Sequence, residues 1–248
     1  IEKKDLFQLI KKTIEKQFDT YTSELYELAS RLDQLKRPVI IYIGGAPGTG
    51  KSMLATSLAT RLGINKVIST DSIREIMRLA FSNDLLPTLF HSTTEAWKGL
   101  PMEFQSSEQL IAGYCLQANQ VSLGVRAVVE RTVEEGENLI VEGAHLVPFL
   151  HEIAKKEMVD AYHIPITLSI MNEKHHRERF SERGTKNLRK IENFYLERFD
   201  GIRSIHEYTL TQCETDEVEV FDNEDLDETL NLIIQFSIQR LFKQVNSE

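Results

Sequence analysis

The residues from Gly45 to Ser52 carry the most specific chemical signal in the sequence. They read Gly-Ala-Pro-Gly-Thr-Gly-Lys-Ser and match the phosphate-binding pattern GxxxxGK[ST] in full. Glycines let such a loop curl until successive backbone N–H groups point at one phosphate, and a helix starting at Lys51 adds the positive end of its dipole. The pattern assigns Lys51 to the β- and γ-phosphates and the Ser52 hydroxyl to Mg²⁺.

This loop predicts a site for a nucleoside triphosphate and Mg²⁺, with a glycine-rich turn and a coincidental lysine as the alternative. The predicted nucleotide contacts are Gly45, Ala46, Pro47, Gly48, Thr49, Gly50, Lys51, Ser52 and Met53. Lys51 is also a predicted catalytic residue, because it would stabilise the transferring phosphoryl group.

An aspartate and an arginine follow the second predicted strand, in the segment Ser-Thr-Asp-Ser-Ile-Arg that ends at Arg74. Ligands of open α/β sheets lie beyond the carboxyl ends of the strands, so Asp71 is expected beside the phosphate loop. There it would orient or deprotonate an acceptor hydroxyl, or hold a magnesium-bound water. The alternative role for Asp71 is a helix N-cap, which it could also fill at the same time. Arg74 is predicted to pair with a carboxylate or phosphate of the acceptor.

The third predicted strand ends at Glu142, where a carboxylate can approach Mg²⁺. Glu142 is therefore a predicted metal ligand together with Ser52, and a predicted acceptor contact. Gly143 would allow a close backbone approach. For His145 two interpretations stay open, namely a hydrogen-bonded structural histidine and a contact to the acceptor.

A hydroxyl-rich loop precedes Trp97, the only tryptophan of the chain. Ser92 and Thr93 either cap a helix or hydrogen-bond an anionic polyol acceptor, and both alternatives remain.

A basic cluster follows the fourth predicted strand. Arg179 and Arg183 are four residues apart and share one helix face. One interpretation is a solvated face with interleaved glutamates. The other is the lid of a small-molecule kinase, in which both arginines act catalytically by neutralising phosphoryl oxygens. The adjacent His175 and His176 have no further ligand at a suitable spacing, which argues against a metal site.

Helix and strand patterns alternate from residue 38 onward. Strands are predicted at 39–43, 66–70, 138–142, 164–171 and 218–221, and helices at 51–62, 72–81, 106–135, 173–183, 187–212 and 225–243. This alternation predicts an α/β fold, a P-loop NTPase of the adenylate-kinase-like kind with a parallel five-stranded sheet and helices on both faces. The kinase domain would span 38–248, with a helical substrate-binding insertion at 84–128 and a lid at 174–190.

Residues 1–37 are predicted to form an N-terminal helical extension. Apolar residues recur there every three or four positions, and residues 1–36 contain no glycine or proline. The first interpretation is a helix or helical pair that packs on the following domain. The alternative is a coiled coil that joins two copies of the chain into a homodimer.

Composition narrows the function classes. The net charge of −9 and the lack of a long basic block argue against nucleic acid as a partner. No stretch approaches the roughly 18 apolar residues of a membrane helix, and the start does not resemble a signal peptide. The two distant cysteines, Cys115 and Cys213, suit reduced thiols and a cytoplasmic location.

Several of these motifs together resemble the archaeal 2-phosphoglycerate kinase family over residues 38–237. Besides the phosphate loop, the matching stretches are Thr-Asp-Ser-Ile-Arg-Glu-Ile-Met-Arg from Thr70, Ser-Thr-Thr-Glu-Ala-Trp from Ser92, Val-Glu-Gly-Ala-His-Leu-Val-Pro from Val141, His-Arg-Glu-Arg-Phe from His176 and Phe-Asp-Gly-Ile-Arg from Phe199. The resemblance implies phosphorylation of 2-phosphoglycerate to 2,3-bisphosphoglycerate with ATP and Mg²⁺. Some family members carry an N-terminal nucleotide-binding domain, for which the helical extension here is too short, so their regulation is not carried over.

Three alternatives remain beside that interpretation. The first is a kinase of the same fold that acts on another phosphorylated polyol, such as an inositol phosphate. The second is a non-catalytic nucleotide-binding regulatory protein that uses the phosphate loop as a switch. The third is a kinase for nucleic-acid ends, which the acidic charge disfavours.

Overall fold

Five short strands form one parallel sheet in the computed structural model of the chain. They are β1 (Val39–Gly44), β2 (Lys66–Ser69), β3 (Leu139–Glu142), β4 (Tyr162–Ser169) and β5 (Glu219–Asp222). Their order in the sheet is β2-β3-β1-β4-β5, so β1 pairs on both sides. All six residues of β1 are buried, which explains its run of Val, Ile and Tyr. The predicted parallel five-stranded sheet is confirmed.

The structure describes most of the chain. The described residues are 3–17, 23, 26–27, 29, 32, 35–101, 106–150, 152, 160–182 and 189–246. The helices are α1 (Lys3–Gln17), α2 (Lys51–Leu62), α3 (Thr70–Ala80), α4 (Ser106–Glu134), α5 (Glu173–Glu182), α6 (Arg189–Glu197), α7 (Phe199–Asp216) and α8 (Leu226–Asn246). Among the described residues, 3₁₀ helices span Pro87–Phe90, Thr93–Gly99 and Ala144–Phe149. No helix among these residues is both long and apolar enough to cross a membrane.

One predicted helix is divided in the structure. The pattern over 187–212 suggests a single helix, but the helical conformation is interrupted between α6 and α7. The interruption is at Arg198, whose φ is −109° and ψ 14°. The Arg198 guanidinium turns back to donate to the Phe194 carbonyl and also reaches Glu95 of the second 3₁₀ helix. A contact over 103 residues of sequence is invisible to a local periodicity, so the break could not be predicted.

Apolar side chains of β1 alternate between the two faces of the sheet. Ile41 and Ile43 pack in a cluster with α2 and α8, whereas Ile40 and Tyr42 pack in a cluster with α3 and α4. Leu32, from the predicted N-terminal extension, is 6% exposed and belongs to the α2 and α8 cluster. At this residue the extension packs on the domain, while a coiled-coil homodimer and the proposed domain bounds stay predictions.

The carboxyl ends of the strands bring four chain segments to one edge of the sheet. The phosphate loop follows β1, α3 begins directly after β2, Gly143 follows β3, and Asn223 follows β5. Gly143 has a φ of 150°, and a Cβ atom there would lie 1.8 Å from the Thr70 hydroxyl oxygen. Glycine is required because Thr70 fills the space that any side chain would need.

Candidate functional site

The phosphate loop has the backbone that its glycines predict. Gly45, Gly48 and Gly50 have φ values of 140°, 86° and 89°, a region that side-chain-bearing residues rarely adopt. A Cβ atom at Gly45 would also lie 2.4 Å from the carbonyl oxygen of Leu168. Helix α2 begins at Lys51, so its N-terminus faces the loop. The Lys51 ammonium donates to the Ala46 carbonyl at 2.7 Å and thus lies folded over the loop.

Side chains from α5 and the end of β5 support the loop from behind. His176 Nε2 donates to the Pro47 carbonyl at 2.8 Å, and Asn223 Nδ2 donates to the Thr49 carbonyl at 2.8 Å. Phe180 lies against Gly48, where a Cβ atom would be 2.3 Å from the ring. Sequence reasoning considered His176 only as a metal ligand and missed this role. Its signal was the spacing of His176 and Phe180, four residues apart on one helix face.

The ring of His176 is itself held in one protonation state. The Pro47 carbonyl can only accept, so Nε2 carries the hydrogen and Nδ1 accepts from Arg203 Nη1 at 3.3 Å. Arg203 also donates to the Ile170 carbonyl at 2.9 Å, which fixes the guanidinium at the end of β4. Burial first, and then the charge of Arg203, lowers the pKa of His176 to about 4. The imidazole therefore stays neutral near neutral pH.

The two predicted metal ligands lie in contact. The Ser52 hydroxyl, at the start of α2, donates to Glu142 Oε1, at the end of β3, over 2.9 Å. Glu142 is only 6% exposed. A hydroxyl and a carboxylate are hard oxygen donors that fit Mg²⁺, which takes one or two protein ligands and completes its shell with phosphate and water. Within the described part of the chain, no three His, Cys, Asp or Glu side chains gather into a denser metal cluster.

A cavity of about 290 Å³ adjoins the phosphate loop. Its walls include ten of the predicted site residues, which are Pro47, Gly48, Gly50, Lys51, Ser52, Asp71, Arg74, Ser92, Thr93 and Glu142. Thr94, Ala144, Phe194, Tyr195 and Ile202 complete the lining. The structure thus brings the predicted phosphate side and the predicted acceptor side into one space. Sequence reasoning missed Phe194 and Tyr195, since α6 reaches the cavity only through the tertiary fold.

Asp71 and Arg74 lie on adjacent positions of the same wall. Arg74 Nε is 3.8 Å from Asp71 Oδ1, and Arg74 donates to the His91 carbonyl at 2.6 Å. The N-cap alternative for Asp71 is wrong, because the Ser69 hydroxyl accepts the Ser72 N–H and caps α3 instead. The Asp71 side chain is 70% exposed, so it is accessible from the cavity.

The loop that contains Ser92 and Thr93, called the hydroxyl loop below, is tied to the junction of α6 and α7 by an ion pair. Ser92 donates to Glu95 Oε2 at 3.2 Å and makes no side-chain cap of the 3₁₀ helix that follows it. Glu95 pairs with Arg198 at 3.1 Å, and the Arg198 guanidinium lies 3.8 Å from the centre of the Phe194 ring. Hydrogen bonds from Lys98 first and then Arg198 lower the pKa of Glu95 to about 2. These contacts hold Phe194, which forms part of the cavity wall (the Phe194 wall), against the hydroxyl loop.

Six predicted residues within the described part of the chain lie outside the cavity lining. Arg179 donates to the carbonyls of Asn223 and, at 3.2 Å, Glu224, and it lies beside Gly50 of the phosphate loop. Met53 is 64% exposed on α2. Gly45, Ala46 and Thr49 belong to the loop without lining the cavity. Arg183 lies outside the described residues.

His145 takes the structural one of its two expected roles. It is 1% exposed, and its ring nitrogens lie 2.8 Å from the Thr70 hydroxyl and 3.1 Å from Gln117 Oε1. Burial is the main reason that its pKa is lowered to about 4. The imidazole lies behind Thr70 rather than in the cavity wall.

Comparison with known proteins matches the chain to one protein family model and to several curated relatives. The AAA domain family matches residues 41–200. The 2-phosphoglycerate kinase of Methanopyrus kandleri is 36% identical over 242 residues, which cover 96% of this chain and 72% of the relative. The enzyme of the same name from Pyrococcus furiosus is 39% identical over 225 residues, covering 90% of this chain and 72% of the relative.

The fold has a solved counterpart. The crystal structure of a gluconokinase from Sinorhizobium meliloti superposes with a TM-score of 0.50 at 13% identity, covering 86% of this chain and 98% of that one. At this identity the likeness concerns the fold alone, which is that of a P-loop kinase.

Proposed function

The chain belongs to the 2-phosphoglycerate kinase family, and we propose that it transfers the γ-phosphoryl group of ATP to the hydroxyl of 2-phosphoglycerate, giving 2,3-bisphosphoglycerate. Family membership makes it a P-loop kinase with an alcohol acceptor and a small phosphorylated substrate. The observation that supports the proposed reaction is the single cavity shared by Lys51, Asp71 and Arg74.

The phosphate loop binds the triphosphate. Its backbone N–H groups and the N-terminus of α2 stabilise the phosphate charge, and Lys51 leaves the Ala46 carbonyl to reach the β- and γ-phosphates. Ser52 and Glu142 would hold Mg²⁺, which would supply positive charge to the phosphate oxygens. The two protein oxygens already lie 2.9 Å apart, and both residues line the cavity beside the loop.

The acceptor is oriented from the opposite wall. Arg74 pairs with its carboxylate or phosphate, and the hydroxyls of Ser92 and Thr93 hydrogen-bond its remaining oxygens. Asp71 accepts the proton of the attacking hydroxyl. The hydroxyl oxygen bonds to the γ-phosphorus as the bond from that phosphorus to the bridging oxygen of ADP breaks, and Asp71 then releases the proton to water.

The direct test is ADP release from Mg²⁺-ATP with a panel of acceptors. The panel holds 2-phosphoglycerate, 3-phosphoglycerate, glycerate, inositol phosphates and a 5′-hydroxyl oligonucleotide. We expect strong stimulation by 2-phosphoglycerate, with 2,3-bisphosphoglycerate identified by ³¹P NMR. Stimulation by another acceptor alone would overturn the proposed substrate, and silence across the panel with tight ATP binding would favour a nucleotide switch.

A further inference from the structure

A row of fully buried polar side chains runs behind the cavity. Thr70 and Gln117 are 0% exposed and His145 is 1% exposed. The Thr70 hydroxyl lies 2.8 Å from His145 Nδ1, and His145 Nε2 lies 3.1 Å from Gln117 Oε1. These residues come from α3, the 3₁₀ helix after β3, and α4, which are distant in sequence. Buried polar groups are costly unless they are paired, so the row is stabilising only while it stays complete.

The far end of the row determines the direction of every hydrogen bond. Gln117 Nε2 donates to the carbonyls of Thr88 at 2.6 Å and His91 at 3.0 Å, which can only accept. The amide oxygen of Gln117 must therefore accept from His145, which places the imidazole hydrogen on Nε2. His145 Nδ1 is then an acceptor, and the Thr70 hydroxyl donates to it.

The two ends of the row adjoin residues that line the cavity. Thr70 directly precedes Asp71, and His91 directly precedes Ser92. Arg74 contributes a second link, since it donates to the carbonyls of Leu89 at 3.1 Å and His91 at 2.6 Å. The spacing between the aspartate and the hydroxyl loop thus depends on Gln117, although Gln117 does not line the cavity.

We propose that Gln117 is the positioning residue for acceptor binding, which it achieves by fixing the hydroxyl loop of Ser92 and Thr93 relative to Asp71 through His145. This inference rests on the proposed function, in which these residues bind the acceptor. It adds that two amide hydrogens of Gln117, together with Arg74, hold this loop in place, and that the phosphate loop is independent of them.

Two variants and a matched control test the role. Gln117→Glu keeps the shape but replaces both donated hydrogens with a carboxylate oxygen, and Gln117→Met removes them without adding charge. Asn119→Asp makes the same amide-to-carboxylate change at an exposed position of α4. We expect the KM of the acceptor to rise at least about tenfold in both Gln117 variants, with the KM of ATP within about twofold of the wild type, as the loss of two buried hydrogen bonds implies. The control should change neither constant.

Hydrogen exchange provides a readout that needs no acceptor. In Gln117→Met the amides of residues 91–97 should exchange at least about tenfold faster than in Asn119→Asp, whereas those of residues 45–52 should be unchanged. Equal exchange in the two proteins, or KM values that rise together for ATP and acceptor, would overturn the proposal. If the wild-type protein ignores 2-phosphoglycerate but the Gln117→Met variant shows this exchange pattern, the proposed substrate is refuted and the positioning role is retained.

The imidazole tautomer gives a test on the wild-type protein. NMR of ¹⁵N-labelled protein should show His145 as the neutral tautomer with its hydrogen on Nε2. A hydrogen on Nδ1 would contradict the hydrogen-bond directions proposed for the row, because the Gln117 side-chain oxygen would then have no donor in His145. This measurement decides the question even if neither Gln117 variant folds.

Discussion

The hydroxyl of Ser52 and the carboxylate of Glu142 are joined by a hydrogen bond of 2.9 Å between the start of α2 and the end of β3. The two residues are 90 positions apart in sequence. The parallel pairing of β1 with β3 aligns Ile43 with Glu142, so the sheet register brings the carboxylate level with the start of the phosphate loop.

Glu142→Gln tests this metal site. The amide can still accept the Ser52 hydrogen bond, but it lacks the charge that favours a divalent cation, so we expect the Mg²⁺ concentration for half-maximal activity to rise about tenfold. Titration of Mg²⁺ in the ADP-release assay measures the change. Glu130→Gln, in an exposed ion pair on α4, is the matched control. An unchanged Mg²⁺ requirement would remove Glu142 from the site.

Asp71→Asn tests the proton acceptor. The amide keeps the size of the side chain but cannot take a proton, so we expect kcat to fall by about 10²- to 10⁴-fold with ATP affinity nearly intact. Single-turnover kinetics and ATP binding by calorimetry separate the two effects. Asp84→Asn, at an exposed loop position, should leave both unchanged. Normal turnover in Asp71→Asn would show that another group, or water, receives the proton.

Local chemistry decided which parts of the site could be predicted. The phosphate loop is a continuous stretch whose strand, turn and helix are all encoded in neighbouring residues, and its predicted backbone is confirmed by the φ values of its glycines. The cap of α3 was harder, because Ser69 and Asp71 both have suitable side chains. The Ser69 hydroxyl forms the cap, because Ser69 lies before the first turn and its hydroxyl accepts the Ser72 N–H at 3.0 Å.

Long-range pairing decided what could not be predicted. Gln117 looks like any polar residue of a long helix until the fold places it beneath two carbonyls of the hydroxyl loop. The same holds for Arg203, whose partner His176 lies 27 residues away. Sequence patterns give the type of such residues but not their neighbours, so their roles emerge only from the packed structure.

His176 should influence ATP binding without touching the nucleotide. In His176→Phe the Pro47 carbonyl loses its buried donor, so we expect the KM of ATP to rise about 3- to 10-fold, with little change in the KM of the acceptor. His176→Gln keeps an N–H that can reach the carbonyl and should recover most of the ATP affinity. If His176→Phe keeps the wild-type KM of ATP while His176→Gln does not, the ring contributes only packing against Phe180.

Arg179→Ala tests the predicted lid. Arg179 lies beside Gly50 of the phosphate loop. From this position its guanidinium can reach a phosphate bound in the loop. We expect kcat to fall by about 10²-fold or more, as the loss of transition-state charge stabilisation implies. Arg131→Ala, whose side chain is 69% exposed on α4, is the control. A change in ATP affinity with kcat preserved would assign Arg179 to ground-state binding.

The ion pairs of Glu95 with Lys98 and Arg198 should stabilise the protein in a pH-dependent way. The pKa of Glu95 is lowered from 4.5 to about 2, so the ionised form is favoured by folding. Its contribution is present above about pH 4.5, the value for the unfolded chain, and is lost as the pH falls toward 2.

We therefore expect Glu95→Gln to lower Tm by about 2–4 °C near neutral pH, since a partly buried pair is worth up to about 1 kcal/mol. The difference in Tm between the wild type and Glu95→Gln should narrow steadily as the pH falls from about 4.5, because protonation removes the same charge from the wild type. Thermal unfolding followed by circular dichroism across this range measures it. Glu130→Gln should show almost no deficit at any pH, because its pair with Arg126 is exposed. A Glu95→Gln deficit that stays constant down to pH 3 would mean that shape, and not charge, holds the Phe194 wall in place.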